Sequence, residues 1–125
     1  MSTFALALII VAGLLGAGGV SLAAIAAHVA DSTALRAAAE IAVVHAAATI
    51  GLLVLGRHSQ TPASWTIPAA VMVLGATLFS ATVALGVLAD FRPVPALAPI
   101  GGTLTILSWL AVSVAGLREL LIRHT

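Results

Sequence analysis

His45 and Glu40 have the widest chemical reach in this sequence, because each interrupts an apolar run in which an ionisable side chain is costly. An imidazole at such a place can relay a proton, contact a cofactor or meet the polar head of a ligand. A carboxylate held partly out of water can load and release protons. At about 100° per residue on a helix, His45 and Thr49 fall on one side, roughly 40° apart. Glu40 points roughly 140° away from His45, near Arg36. The ionisable residues therefore divide into two groups. The first is a candidate polar core or ligand contact, in which His45 and Thr49 are joined by Thr77 and Ser80 of the next apolar segment and by Thr105 and Trp109 of the last. The second is a candidate outer-rim site of His28, Arg36 and Glu40. Each group also has a purely structural account. The core residues can serve as interhelical hydrogen bonds, worth about 0.6 kcal/mol each. At the rim, Glu40 can snorkel or pair with Arg36, and His28 with Asp31 can cap a helix end at the interface. His58 and His124 sit at the C-terminal ends of apolar segments, where the helix dipole favours a basic side chain.

Other chemistries are excluded. There is no cysteine, so disulfides, thiolate metal sites and thiol nucleophiles are absent. No HExxH, paired carboxylates or Ser-His-Asp arrangement occurs, and no nucleophile, base and oxyanion donor can be assembled. A haem on His45 would fit beside Ala42, Ala46 and Ala48, but a second axial histidine would have to be His28, nearly half a membrane away. Gly16-Ala17-Gly18-Gly19 has neither the flanking strand nor the lysine of a phosphate loop and is expected to serve close packing. A net charge of +1, with all five basic residues arginine and none clustered, offers no nucleic-acid footprint. The expectation is no catalytic residue, no metal, no cofactor and no enzymatic activity.

The elements that position these residues follow from composition. With 62% hydrophobic and 7% charged residues in 125, the chain is far from the balance of a soluble domain. Lipid is its solvent. Apolar runs at about 4–29, 34–56, 67–89 and 99–119 each approach or exceed the roughly 20 residues a helix needs to span a bilayer. Asp31-Ser32-Thr33 supplies a helix N-cap, and Pro62, Pro93 and Pro95 punctuate the later turns. Short connections make consecutive helices antiparallel, giving a single all-α transmembrane domain, a four-helix up-down bundle. The side of the first, second and fourth spans' wet ends holds Arg57, Arg118 and Arg123, against Arg36 and Arg92 opposite, which places both termini in the cytoplasm.

Helix association in lipid depends on close approach over small residues. Gly13, Gly16 and Ala17 with Ala24 and Ala27 mark such a face on span one, Gly75 and Gly86 on span three, and Gly101, Gly102 and Gly116 on span four. Thr105, Trp109 and Ser113 share the last stripe. Trp109 is mid-span, so its indole N–H needs an acceptor on another helix, whereas Trp65 has the position of an interfacial belt residue.

The sequence resembles a family of small four-span membrane proteins, the bacterial YgdD/YwdK-type proteins of a domain of unknown function with eukaryotic relatives. The resemblance covers most of the chain. It is carried by Ala26-Ala27-His28 closing span one, Val44-His45-Ala46 in span two, Leu78-Phe79-Ser80 in span three, and Pro99-Ile100-Gly101-Gly102 followed by Trp109 in span four. It implies a four-helix bundle in the bacterial inner membrane and no defined activity. The chain departs from the family pattern at Glu40-Ile41-Ala42, where relatives have Arg-Tyr-Gln, and in the alanines before His28. The expected function is that of a non-enzymatic interaction or accessory subunit, in an oligomer or a larger membrane complex. The alternative is a binding or transport module for a lipid, quinone, pigment or protons, using His45 and possibly Glu40.

Overall fold

A computed structural model describes all 125 residues as four α-helices and no strand. They are α1 (Thr3–His28), α2 (Thr33–His58), α3 (Ala63–Leu88) and α4 (Leu97–Arg123). At 1.5 Å per residue each is roughly 39 Å long, enough to cross about 30 Å of hydrocarbon with a turn to spare at either end. All four are apolar enough to do so. The helices overrun the apolar runs: α3 begins at Ala63 and α4 ends at Arg123, because backbone hydrogen bonding continues into the polar boundary. Local chemistry sets the starts. Ser2 and Ser32 accept from the amides of Ala5 and Leu35, at 3.1 and 3.2 Å, satisfying donors that a helix start leaves free. Pro99 lies in the first turn of α4, where a missing N–H costs nothing. After α3 the chain reverses at Asp90 (φ 50°), a left-handed residue that lets Phe91 N–H reach back to Leu85 C=O.

Packing is uneven. Consecutive helices pair, α1 also touches α3, and α4 packs through its backbone on α3 alone. The bundle is thus a three-helix core with a fourth helix laid against it. Ala5, Leu8 and Ala12 of α1 meet Leu52 and Leu53 of α2 and Ala69, Met72 and Val73 of α3 in one apolar cluster. α2 is the most enclosed helix.

Two glycine contacts fix the crossings. A Cβ on Gly19 would lie 2.8 Å from Val43 Cγ2 and 2.9 Å from Ala42 Cβ, so α1 and α2 are in backbone-scale contact there. A Cβ on Gly101 would lie 2.5 Å from the Gly75 carbonyl oxygen and 2.6 Å from the Phe79 amide, which seats α4 on α3. The other small residues divide. Gly16 makes ordinary contact with Ala46, and Gly102 barely reaches Phe79. Gly86 packs under the Arg92 side chain, whose Nη2 donates to the Gly86 carbonyl at 3.0 Å. Gly13 and Gly116 face open space, and Ala17 is exposed. For these three, a role in packing this bundle is corrected. On α4 the buried residues are Gly101, Thr105, Ser108 and Ala115, so Gly101 and Thr105 of the expected face are in the seat, while Gly102, Trp109, Ser113 and Gly116 lie to one side of it. Gly56, unanticipated, lies tight against Trp65 and Pro62 at the α2–α3 turn.

Candidate functional site

The mid-membrane polar residues are mostly satisfied within their own helices. Thr49 donates to His45 C=O at 2.7 Å, Thr77 to Val73 C=O at 2.6 Å and Thr105 to Gly102 C=O at 2.7 Å. A hydroxyl bonded to its own helix holds no partner helix. Two contacts do cross between helices. Ser80 Oγ donates to Ala38 C=O, tying α3 to α2 at 2.9 Å. Trp109 Nε1–H donates to His45 Nε2 at 3.1 Å, tying α4 to α2 although no Cα atoms of these helices come within 8 Å. The indole of Trp109 thus finds its acceptor on another helix.

His45 is buried, and its second ring nitrogen is also engaged, with Nδ1 lying 2.7 Å from Ile41 C=O. A carbonyl only accepts and an indole N–H only donates. The two contacts together match the tautomer that carries its proton on Nδ1 and offers Nε2 as acceptor. The His45 and Trp109 rings meet edge-on, with centroids 6.0 Å apart and planes at 66°. His45 and Trp109 pair through their side chains, and Thr49 joins them only through the His45 carbonyl. Ser80, Thr77 and Thr105 make no hydrogen bond to either ring, bonding instead to the carbonyls of Ala38, Val73 and Gly102.

The rim residues do not assemble. Arg36 pairs with Asp31, not with Glu40. Glu40 is exposed on the outer face of α2, with no hydrogen-bond or salt-bridge partner in the chain. His28 is exposed at the end of α1 and likewise has no partner.

A groove of about 340 Å³ runs between α1, α2 and α3, with walls including Leu14, Gly18, Leu22 and Ala84 and a floor at Ala42, Thr77 and Ser80. It exists because small side chains line it where the three-helix cluster of the opposite half has ended. Its two hydroxyls already donate to backbone carbonyls, leaving an apolar surface. Neither His45 nor Glu40 lines it.

Sequence reasoning missed a second polar contact between α2 and α4, at the opposite bundle end from His28. Glu119 Oε2 accepts from Ser59 Oγ at 2.7 Å, and next to it Arg118 donates to Ser64 at 2.9 Å. The available signal was Glu119 itself, the lone acid at an end with Arg57, Arg118 and Arg123. Trp65, expected in the interfacial belt and lying in the first turn of α3, also packs against the apolar cluster, with its Nε1 buried. The Ser80 bond sets a modest expectation. Ser80→Ala should lower stability by about 0.6 kcal/mol, and by no more than about 1.7, in detergent unfolding titrations. A loss several times larger would mean that Ser80 does more than join α3 to α2.

Among known proteins, the family model for DUF423, described as a protein of unknown function, matches residues 22–102. No curated protein and no solved structure matches the chain. The matched region spans the end of α1, all of α2 and α3, and α4 as far as its glycine seat, so it contains His45, Ser80, Gly75 and Gly101. Trp109 and Glu119 lie beyond it. With more than half of its length matched, the chain belongs to DUF423, a family of proteins of unknown function, and its four helices long and apolar enough to cross a membrane make it a multi-pass membrane protein.

Proposed function

We propose that this protein is a non-enzymatic interaction or accessory subunit, one that joins copies of itself or other membrane proteins through a face of α1. The observation that carries this reading is the small-residue row Gly13, Ala17, Ala24 and Ala27, all exposed on the outside of the bundle. A Cβ on Gly13 would meet nothing within 4 Å. In lipid, such rows allow two helix backbones to approach closely, and dispersion and interhelical hydrogen bonds then hold them. Within this chain the row holds nothing. The reading places the protein in the bacterial inner membrane with both termini in the cytoplasm, on the excess of arginine at that end.

Ala17→Leu tests it. The variant should fold as the wild type does, because residue 17 is exposed, yet lose higher-mass species in native mass spectrometry of a gentle membrane extract. A wild-type protein that is monomeric and unaccompanied in that extract would overturn the reading.

The groove between α1, α2 and α3 favours a second reading, a binding module for a lipophilic molecule. Its volume of about 340 Å³ falls within the range of small-molecule sites. The ligand in that case lies against Gly18, Ala42 and Ala84, and the polar residues at the floor are Thr77 and Ser80 rather than His45 or Glu40. A small molecule that co-purifies and is lost on Gly18→Leu would support this reading over the first.

A further inference from the structure

Three arginines form ion pairs in this chain, and one of the pairs is left open. Arg36 is hydrogen-bonded to Asp31. Arg123 stands beside Glu119, a carboxylate that is mostly enclosed and already accepts from Ser59. Arg92 and Asp90, on the connection between α3 and α4, are both exposed and lie 3.8 Å apart, too far for a hydrogen bond. The Asp90 carboxylate has no hydrogen-bond partner in the protein, and Arg92 uses one of its five N–H donors.

Both charges are held in place. The Arg92 side chain lies along Gly86, so close that a Cβ there would sit 2.9 Å from Nε, and its Nη2 donates to the Gly86 carbonyl at 3.0 Å. Asp90 is set by the left-handed turn (φ 50°) that ends α3. Beside them the surface is concave. Arg92 walls a crevice of about 230 Å³ with Thr82 and Gly86 of α3 and with Pro95 and Ala98 around the start of α4. A second crevice of about 180 Å³ adjoins it at Thr82, and Leu85, Phe91, Val94 and Leu97 give that one apolar walls.

Such a pair selects among lipid heads by charge. A phosphodiester can accept from the free N–H groups of Arg92, but a head that is only anionic also brings negative charge up to Asp90. A head with a cation next to its phosphate meets both residues. That cation must also donate, because the Asp90 carboxylate is an unused acceptor. A primary ammonium has N–H groups to give, and a quaternary ammonium has none. Phosphoethanolamine carries its phosphate and its ammonium on adjacent carbons, a short spacing that suits protein charges 3.8 Å apart.

We propose that the α3–α4 connection is a headgroup site for phosphatidylethanolamine. The phosphodiester accepts from Arg92, the ammonium donates to Asp90, and an acyl chain lies along the apolar crevice beside Phe91. The site requires no partner protein and so stands apart from the α1 face.

The test compares lipid retention by native mass spectrometry after reconstitution in phosphatidylcholine nanodiscs doped with equal phosphatidylethanolamine and phosphatidylglycerol of the same acyl chains. The wild type should retain phosphatidylethanolamine about 2- to 5-fold better than phosphatidylglycerol, the range expected for one exposed ion pair. Asp90→Asn should abolish or reverse that preference, and asparagine tolerates the left-handed backbone, so the turn survives. Arg92→Gln should weaken retention of both lipids. If the wild type retains phosphatidylglycerol equally or better, the site is a plain basic one or its lipids are unselected, and the proposal is overturned. A preference that survives Asp90→Asn overturns it as well, because the ammonium is then held elsewhere. The wild type and Asp90→Asn decide the matter even if Arg92→Gln fails to fold.

Discussion

Gly101→Ala is expected to unseat α4 and to be among the most damaging single-methyl changes in the protein. The added carbon would sit 2.5 Å from the Gly75 carbonyl oxygen and 2.6 Å from the Phe79 amide nitrogen, both backbone atoms of α3. Side chains can turn aside; backbone can only separate. Because α4 packs its backbone on no other helix, separation at this point removes its main seat. Overpacking in a well-packed core typically costs 1–3 kcal/mol, and a backbone clash places this one at or above about 3 kcal/mol. Gly75→Ala should act similarly, since its Cβ would lie 2.7 Å from the Gly101 carbonyl oxygen and 2.8 Å from Leu104 Cβ. Gly116→Ala is the control. It meets nothing within 4 Å, and alanine is the better helix former by up to about 1 kcal/mol. Unfolding in mixed detergent, followed by tryptophan emission, should give a much lower midpoint for Gly101→Ala and an equal or higher one for Gly116→Ala. Equal midpoints for the two variants would mean that α4 is not held at Gly101.

The four helices were legible because length and composition alone mark a span, and the Ser32 cap was visible in Asp31-Ser32-Thr33. Which side of each helix faces inward was harder to see. In water a helix declares its buried face by polarity, but in lipid the outside is as apolar as the inside, and that contrast is lost. Small residues were the remaining guide on α4, and they found Gly101 and Thr105 but turned the rest of the seat aside: Trp109 and Ser113 are exposed, and Ser108 is buried. On α1 the same guide found Gly13 and Ala17, which this chain leaves uncovered. Hydroxyls misled for a different reason. Thr49, Thr77 and Thr105 each bond to a carbonyl three or four residues back, a local choice that competes with any partner helix. The His45–Trp109 pair was accessible because both are mid-span groups that demand a partner in lipid. Ser59 with Glu119 was not, because an acid and a serine near the membrane surface make no such demand.

His45→Ala should produce the other large loss, and it decides whether this histidine is structural or is held ready for a ligand. With Nδ1–H given to Ile41 C=O and Nε2 receiving Trp109 Nε1–H, neither ring nitrogen is free. A relayed proton or a bound iron would have to displace the indole, and with it the mid-membrane hydrogen bond between α2 and α4. Truncation to alanine removes a buried ring and leaves the Trp109 N–H without its acceptor, a combined cost of about 2–4 kcal/mol. Trp109→Phe removes the N–H but keeps an aromatic ring, smaller than the indole, at an exposed position and should cost only about 1 kcal/mol. The double variant should be less damaged than the sum, with a coupling of about 0.6 kcal/mol and at most about 1.7. Nitrogen-15 spectra of labelled histidine offer an independent check, since they should show His45 neutral and protonated at Nδ1. If His45→Ala instead unfolds at the wild-type midpoint while a co-purifying small molecule disappears, the histidine is a ligand contact, and the bond to Trp109 is one that the ligand replaces.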